Sequence, residues 1–406
     1  MILLASTMNA PEAIDRFPEL ESAKCRHVVT LTSFYPSESD DASGCFVSEP
    51  LPWLAQQGIV NSVIAVQPFY RGRSQRSRGA PPADWFHYLS MPGGVGLSSA
   101  GAFVFARIVG HIRKLHRERP ISLIHAHAPL PCGHAAMLLS RELGIPFVVS
   151  VHGLDAFSTK QVSGRAGQWC RNISQRVFLS AKRVICVSER ARENVLEGTE
   201  PGCRTSVVYN GVDPRLFAPP HQESADNGVI VSVGNLIPSK GHALLLRSIA
   251  ELSTKYPGLT CEIIGDGAER ERLAALAAEL DITQRVNFRG RLCRSEVAEA
   301  LQRCTVFALP SRYEGLGCVY LEAMSTGKPA IACRGQGIAE IIRHGNNGWL
   351  VGADNLEELT AGLAAFVGDE CLRRKVGGAA RRTVLDALTL SHQAARLCRV
   401  YEECMG

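Results

Sequence analysis

From residue 27 onward, short apolar runs alternate with longer amphipathic segments, and few folds accommodate that rhythm. A strand covered on both faces reads as an unbroken apolar run, and successive parallel strands need a crossover, usually a helix. The alternation therefore predicts βαβ units and parallel sheets. In the first half the expected strands are residues 27–32, 60–66, 123–126, 147–150, 183–187 and 206–209, with helices such as 101–119 and 133–143 between them. A second series runs through 229–233, 260–264, 286–288, 306–309, 330–332 and 348–351, separated by helices near 243–256, 269–280, 295–304, 319–326 and 356–367. Between the series lies polar, proline-containing Ala218-Pro219-Pro220-His221-Gln222-Glu223-Ser224-Ala225-Asp226-Asn227, which reads as a linker. The expected fold class is α/β: two doubly wound domains, 27–213 and 229–384, facing across a cleft and joined by a linker at 214–228. Residues 1–26 carry no clear period and read as a loosely attached extension.

At 406 residues there is chain enough for each domain to bury a full core. No run of eighteen apolar residues predicts a membrane-spanning helix. The opening Met1-Ile2-Leu3-Leu4-Ala5-Ser6 is too short an apolar patch, and lacks the basic lead, for a secretory signal. The 14 cysteines are scattered singly with no C-x-x-C pair, and several lie inside apolar runs, as Cys186 does. Buried free thiols in a reducing, cytoplasmic setting are expected rather than a disulfide frame or a zinc site.

Net charge is +5 but uneven: 22 Lys and Arg against 16 Asp and Glu through Asn210, and 22 against 23 beyond it. The basic excess gathers at Arg71, Arg73, Arg76 and Arg78, and at Arg113, Lys114, Arg117 and Arg119. It suits an anionic surface or acceptor; a solvated loop accounts equally well for the first cluster, and a solvated helix face is the expected reading of the second. Nucleic acid is not expected, because the basic residues are not interleaved with stacking aromatics.

The most informative stretch is Pro310-Ser311-Arg312-Tyr313-Glu314-Gly315-Leu316-Gly317-Cys318-Val319-Tyr320-Leu321-Glu322-Ala323-Met324, which follows the apolar run 306–309. It reads as strand, loop and helix, the junction at the carboxyl edge of a parallel sheet where ligands bind. Free N–H groups at the helix start favour phosphate. Carboxylates at Glu314 and Glu322 could hold the hydroxyls of a sugar nucleotide; the bland alternative is a glycine-capped loop with one solvated and one structural Glu. Three further strand-end loops belong to the same domain: Gly234-Asn235 through Lys240-Gly241, Gly265-Asp266-Gly267, and Arg289-Gly290-Arg291. Lys240, just before a helix, could reach a diphosphate as a point charge. No Walker loop occurs, and no strand leads into G-x-G-x-x-G, which speaks against a nicotinamide enzyme. The first domain offers Ser33-Phe34-Tyr35-Pro36, Gly44-Cys45-Phe46 and His152-Gly153-Leu154-Asp155. His125, His127 and His134 are the candidate metal cluster, but no partners stand nearby in sequence, and no metal is expected.

Five motifs in order, namely Ser33-Phe34-Tyr35-Pro36, His152-Gly153-Leu154-Asp155, Tyr209-Asn210-Gly211-Val212-Asp213, the Lys240-Gly241 loop and Glu314 with Glu322, make the chain resemble the retaining family-four glycosyltransferases of GT-B fold. That family includes many bacterial polysaccharide and glycolipid assembly enzymes. The resemblance implies a nucleotide-sugar donor, UDP- or GDP-linked, with no further cofactor. By it, Lys240 binds the donor diphosphate, Glu314 holds sugar hydroxyls, and Gly315, Leu316 and Gly317 supply backbone N–H groups. It likewise assigns Glu322 to the ribose, His152 to the reacting centre and Gly44 to the space beside the diphosphate. Asn235, Gly265, Gly290 and Arg291 fall in donor-binding loops, and residues 385–406 are expected as a helix crossing back to the first domain.

Two departures stand out. Asn235 occupies a position where many relatives carry an arginine, so Lys240, the helix start or Arg291 must supply the charge. Gly44-Cys45 stands where two glycines are common. The expected activity is hexose transfer to an acceptor hydroxyl in cell-surface polysaccharide or glycolipid synthesis. The competing readings are a nucleotide-sugar epimerase and a catalytically silent binding subunit. A lipid-linked glycan acceptor reached from an anionic membrane surface at the inner face of the cell membrane is the expected partner, against a soluble small acceptor.

Overall fold

The computed structural model describes residues 26–38, 40–71, 80–91, 96–153, 155–156, 162, 164–220 and 228–405. Residues 1–25 of the expected extension, residues 221–227 of the linker, and Arg73, Arg76 and Arg78 lie outside them.

The first domain is built on strands β1 (Arg26–Thr32), β2 (Ile59–Pro68), β3 (Ala83–Tyr88), β4 (Leu123–His127), β5 (Phe147–Val151), β6 (Arg183–Cys186) and β7 (Thr205–Val207). Among the described residues they form one parallel sheet in the order β3-β2-β1-β4-β5-β6-β7. Strands β4 and β5 are buried along their whole length, as expected where helices cover both faces. Strand β3 has no counterpart in the sequence reading. It follows Pro81-Pro82 at the sheet edge, is only partly buried and includes exposed Asp84, so it presents no apolar run.

The second domain holds β8 (Val229–Val233), β9 (Thr260–Ile264), β10 (Val286–Gly290), β11 (Val306–Ala308), β12 (Ala330–Cys333) and β13 (Trp349–Val351). They too form a parallel sheet, ordered β10-β9-β8-β11-β12-β13. Both orders reverse beside the first strand of the domain, which opens a crevice at the carboxyl edge.

Two boundaries differ from expectation. The stretch beginning at 214 is not loose throughout: Phe217 is fully buried, its carbonyl accepts the Ser325 hydroxyl at 2.8 Å, and the Arg294 guanidinium stacks on its ring at 4.9 Å. Nor does a helix begin at 385. Helix Glu370–Ala387 runs through that point, and the chain breaks at Leu388–Thr389 before helix Leu390–Met405. The break fits against the Asn210-Gly211-Val212 motif, where Val212 N–H donates to Leu388 O at 3.0 Å and Leu390 N–H to Val212 O at 3.1 Å. Helix Leu390–Met405 then buries Leu397, Val400 and Tyr401 against Leu51, Leu54, Ile59 and Val63 of the first domain. At roughly 1.5–3 kcal/mol per buried aliphatic side chain, this returning helix ties the domains together.

Candidate active site

The second domain assembles its cradle from strand-end loops held backbone to backbone. Gly265 N–H donates to Gly290 O at 2.8 Å, and Gly234 N–H to Ile264 O at 2.9 Å. The loop after β8 makes a short 3-10 turn, Pro238–Lys240, and is stitched to the stretch beginning at Pro310: Arg312 N–H donates to Ser239 O at 2.7 Å and the Ser311 hydroxyl to the same carbonyl at 3.1 Å. These bonds bring Lys240 to Glu314, Nζ to Oε1 at 2.5 Å, with both side chains largely buried. Glu314 N–H donates to Gln336 Oε1 at 3.0 Å, which fixes the backbone beneath the carboxylate. Gly317 begins helix Cys318–Ser325 in the left-handed region, with Leu316 buried beneath it. The first turn of this helix thus opens beside the ion pair.

Glu322, just over one turn along this helix and 4% exposed, is not a lone carboxylate. Arg294, the first residue of helix Arg294–Arg303, donates Nη1 to Glu322 and Nε and Nη2 to Glu49 of the first domain at 3.0 and 2.7 Å. Burial alone would lower the Arg294 pKa, but Glu322, Cys45 and Glu49 together hold it above the ordinary arginine range. Burial pushes the Glu49 carboxyl up despite Arg294. Arg291, expected at the diphosphate, instead reaches across the cleft to Asp40 at 2.7 Å. The arginine that enters the site is therefore Arg294, which the sequence reading missed. Its only local signal is an N-terminal helix position, and nothing in sequence links it to Glu322 or Glu49. Asn235 is exposed, and among the described residues its side chain makes no hydrogen bond. Gly290 faces open space.

The first domain supplies the opposite wall. His152 follows β5, with Phe46 at a ring-centroid distance of 4.4 Å and Phe34 at 6.3 Å. Gly44, just before Phe46, cannot carry a side chain, because a Cβ would lie 2.4 Å from the Phe34 carbonyl carbon. What the missing side chain makes room for is its own domain's Ser33-Phe34-Tyr35-Pro36 loop. His152 Nε2 and His127 Nδ1 share a hydrogen bond at 3.1 Å, and the Asp155 carboxylate accepts the His152 N–H at 2.9 Å. His125 lies against His127 at 4.3 Å, bonded to Tyr401 of the returning helix at 2.6 Å and to Ser150 at 2.7 Å. Burial pushes His125 and His152 down to about 3 and His127 well below its ordinary value. All three rings are neutral at neutral pH, and His152 Nδ1 is shielded and has no hydrogen-bond partner among the described residues. Burial raises Asp155 to about 6 against the backbone N–H groups that favour its charge.

Backbone contact joins the walls. The Ser188 hydroxyl donates to Gly315 O at 2.6 Å, and a Cβ on Gly315 would fall 2.1 Å from His152 O. Asn210 donates to Cys318 Sγ at 3.2 Å, and Glu340 of the second domain accepts the Glu189 and Arg190 N–H groups and the Tyr209 hydroxyl. His152, Lys240, Glu314, Gly315, Leu316 and Gly317 thus converge, with Glu322 beside them. Arg291 and the Asn235 side chain do not join them. Among the described residues no group of three or more His, Cys, Asp and Glu could hold a metal ion, and no helix is long and apolar enough to cross a membrane. The thirteen described cysteines are free.

The family model for Glycosyl transferases group 1 matches residues 216–383, and that for Glycosyltransferase Family 4 matches residues 51–216. A GDP-mannose-dependent alpha-(1-6)-phosphatidylinositol monomannoside mannosyltransferase from Mycolicibacterium smegmatis is 26% identical, over 72% of this chain and 79% of its own length. Among solved structures, the sucrose-phosphate synthase of Thermosynechococcus elongatus superposes with a TM-score of 0.76 at 19% identity, covering 93% of this chain and 99% of that one. Anabaena HepE, solved in complex with UDP-glucose, gives 0.72 at 19% identity over the same shares. The shared architecture is the GT-B fold, as the sequence motifs imply.

Proposed function

The chain belongs to the family-four glycosyltransferases, and from that premise we propose that it transfers a hexose from a UDP- or GDP-sugar to an acceptor hydroxyl with retained anomeric configuration. One observation carries the reading: a buried Lys240–Glu314 pair, 2.5 Å apart, beside a helix start and facing a neutral histidine, one of whose ring nitrogens has no partner among the described residues. Lys240 and the free N–H groups of Cys318–Ser325 suit a diphosphate. Glu314 suits the hydroxyls of the transferred sugar, and Glu322, steadied by Arg294, those of the ribose. As the bond from the anomeric carbon to the phosphate oxygen breaks, charge grows on that oxygen, and Lys240 stabilises it. The acceptor oxygen bonds to the anomeric carbon on the same face, and its proton passes to the departing phosphate oxygen. The products are a nucleoside diphosphate and the glycoside. His152, neutral at pH 7, offers a hydrogen bond to the reacting sugar rather than a charge.

The donor range is supported by relatives named for GDP-mannose and UDP-glucose. For the acceptor, the basic first half supports a lipid-linked glycan at an anionic membrane surface, in polysaccharide or glycolipid assembly at the cytoplasmic face. Incubation with a panel of UDP- and GDP-hexoses and acceptors, followed by NMR of the product anomer, tests the reaction. An inverted product, or full turnover by Lys240→Ala and Glu314→Ala, would overturn it.

A further inference from the structure

The turn that follows β12 touches both domains at once, through Gln336, Gly337 and Glu340. On its own side it holds the backbone of Glu314: Gln336 Oε1 accepts the Glu314 N–H at 3.0 Å, and Gly337 N–H donates to Glu314 O at 3.2 Å. Gly337 has no room for a side chain. A Cβ there would collide with Gly315 O and lie 2.9 Å from the Ser188 hydroxyl of the first domain. The loop that carries Glu314 is thus packed between this turn and the first domain.

Glu340 ends the same short 3-10 turn, Gly337–Glu340, and reaches helix Glu189–Glu197 of the first domain. Its Oε2 accepts the Glu189 N–H at 2.8 Å, and its Oε1 accepts the Arg190 N–H at 2.7 Å. The next amide, Ala191 N–H, goes to the helix's own N-cap, the Ser188 hydroxyl, at 3.0 Å. That hydroxyl in turn donates to Gly315 O. The first amides of a helix have no partner within it and carry its positive end, so a carboxylate is favoured there. Here the carboxylate comes from the opposite domain, and it serves the helix only while the two domains stay together. Tyr209 adds a third bond, its hydroxyl donating to Glu340 Oε2 at 2.9 Å. Burial and Glu340 push that hydroxyl up to about 12, so it remains a donor at neutral pH.

We propose, on the reading that Glu314 holds the transferred sugar, that Glu340 is a positioning residue for transfer. By capping helix Glu189–Glu197 from across the cleft, it seats the Glu314 loop against the wall that carries His152. Lys240 and helix Cys318–Ser325 lie wholly in the second domain, so nucleotide binding does not need this cap. Steady-state transfer by the full chain, with calorimetric titration of UDP and GDP, separates the two steps. In Glu340→Ala, kcat should fall about fivefold or more, as for a lost charge-assisted hydrogen bond, with nucleotide Kd within about twofold of wild type. Glu340→Gln keeps one accepting oxygen and should recover part of the loss; Tyr209→Phe should cost less than Glu340→Ala. Hydrogen exchange should quicken at the first turn of helix Glu189–Glu197 while the rest stays protected, which distinguishes a lost cap from a lost fold. Wild-type kcat in Glu340→Ala, unchanged exchange at that turn, or a nucleotide Kd weakened as much as kcat would each overturn the role of Glu340. A wild-type chain that transfers hexose from no donor would instead overturn the reading of the reaction itself.

Discussion

Gly315 and His152 belong to different domains, yet a Cβ on Gly315 would lie 2.1 Å from the His152 carbonyl oxygen. The loop that carries Glu314 is thereby pressed against the loop that carries His152, and the cleft closes at that point without any side chain between. Because the obstacle is backbone, Gly315→Ala must move one domain relative to the other. The expected cost is about 1–3 kcal/mol, as for other overpacked contacts. Small-angle scattering should report a larger radius of gyration and transfer should fall; an unchanged envelope with normal turnover would refute the contact.

Lys240 and Glu314 hold one another's charge in a largely buried site. Removing either one leaves an uncompensated partner, so Lys240→Met and Glu314→Gln should each destabilise by roughly 2 kcal/mol, less than a fully buried pair would lose. The double variant should cost less than the sum, because neither charge is then stranded. Urea unfolding of the four chains measures the coupling, and strict additivity would count against the pair.

Arg294 links Glu322 of the second domain, proposed to bind the donor ribose, to Glu49 in the first domain. Arg294→Met should raise the donor KM at least tenfold, since Glu322 then loses the cation that orients it. Glu49→Gln keeps the shape and removes only the cross-domain charge, so it should change KM less. Equal KM values for Arg294→Met and wild type in a steady-state assay would remove Arg294 from the donor site.

The buried histidines set a pH dependence. His125 and His152 have an ordinary value of 6.5 and sit at about 3 in the folded protein. The unfolded chain therefore takes up protons below about pH 6.5 that the folded chain refuses until about pH 3. Their stabilisation is fully present above pH 6.5 and is lost as pH falls toward 3. Urea midpoints measured across that window should decline, and His125→Asn should flatten the decline; parallel slopes would show that other groups dominate.

Much was legible from the residues alone. The apolar rhythm located every strand of the second sheet and six of the seven in the first, because a strand covered on both faces must be apolar throughout. Edge strand β3 escaped, since a half-exposed edge requires no such run. Ordered short motifs were enough to indicate the family, and the carboxyl-edge rule put Lys240 and Glu314 in neighbouring loops. Phe217, expected in a linker, is core instead, because the cavity it fills is made by Arg294 and Ser325 from far along the chain.

Periodicity and turn chemistry are local, and they determined the elements, their alternation and the edge at which ligands bind. Which distant side chains meet was decided only by the folded chain. Asp40 pairs with Arg291, expected at a donor diphosphate, Glu49 and Glu322 share Arg294, and Tyr401 returns from the last helix to His125. Each of these contacts joins residues from separate elements, several across the cleft. Their energies depend on burial and angle, which no spacing along the sequence encodes.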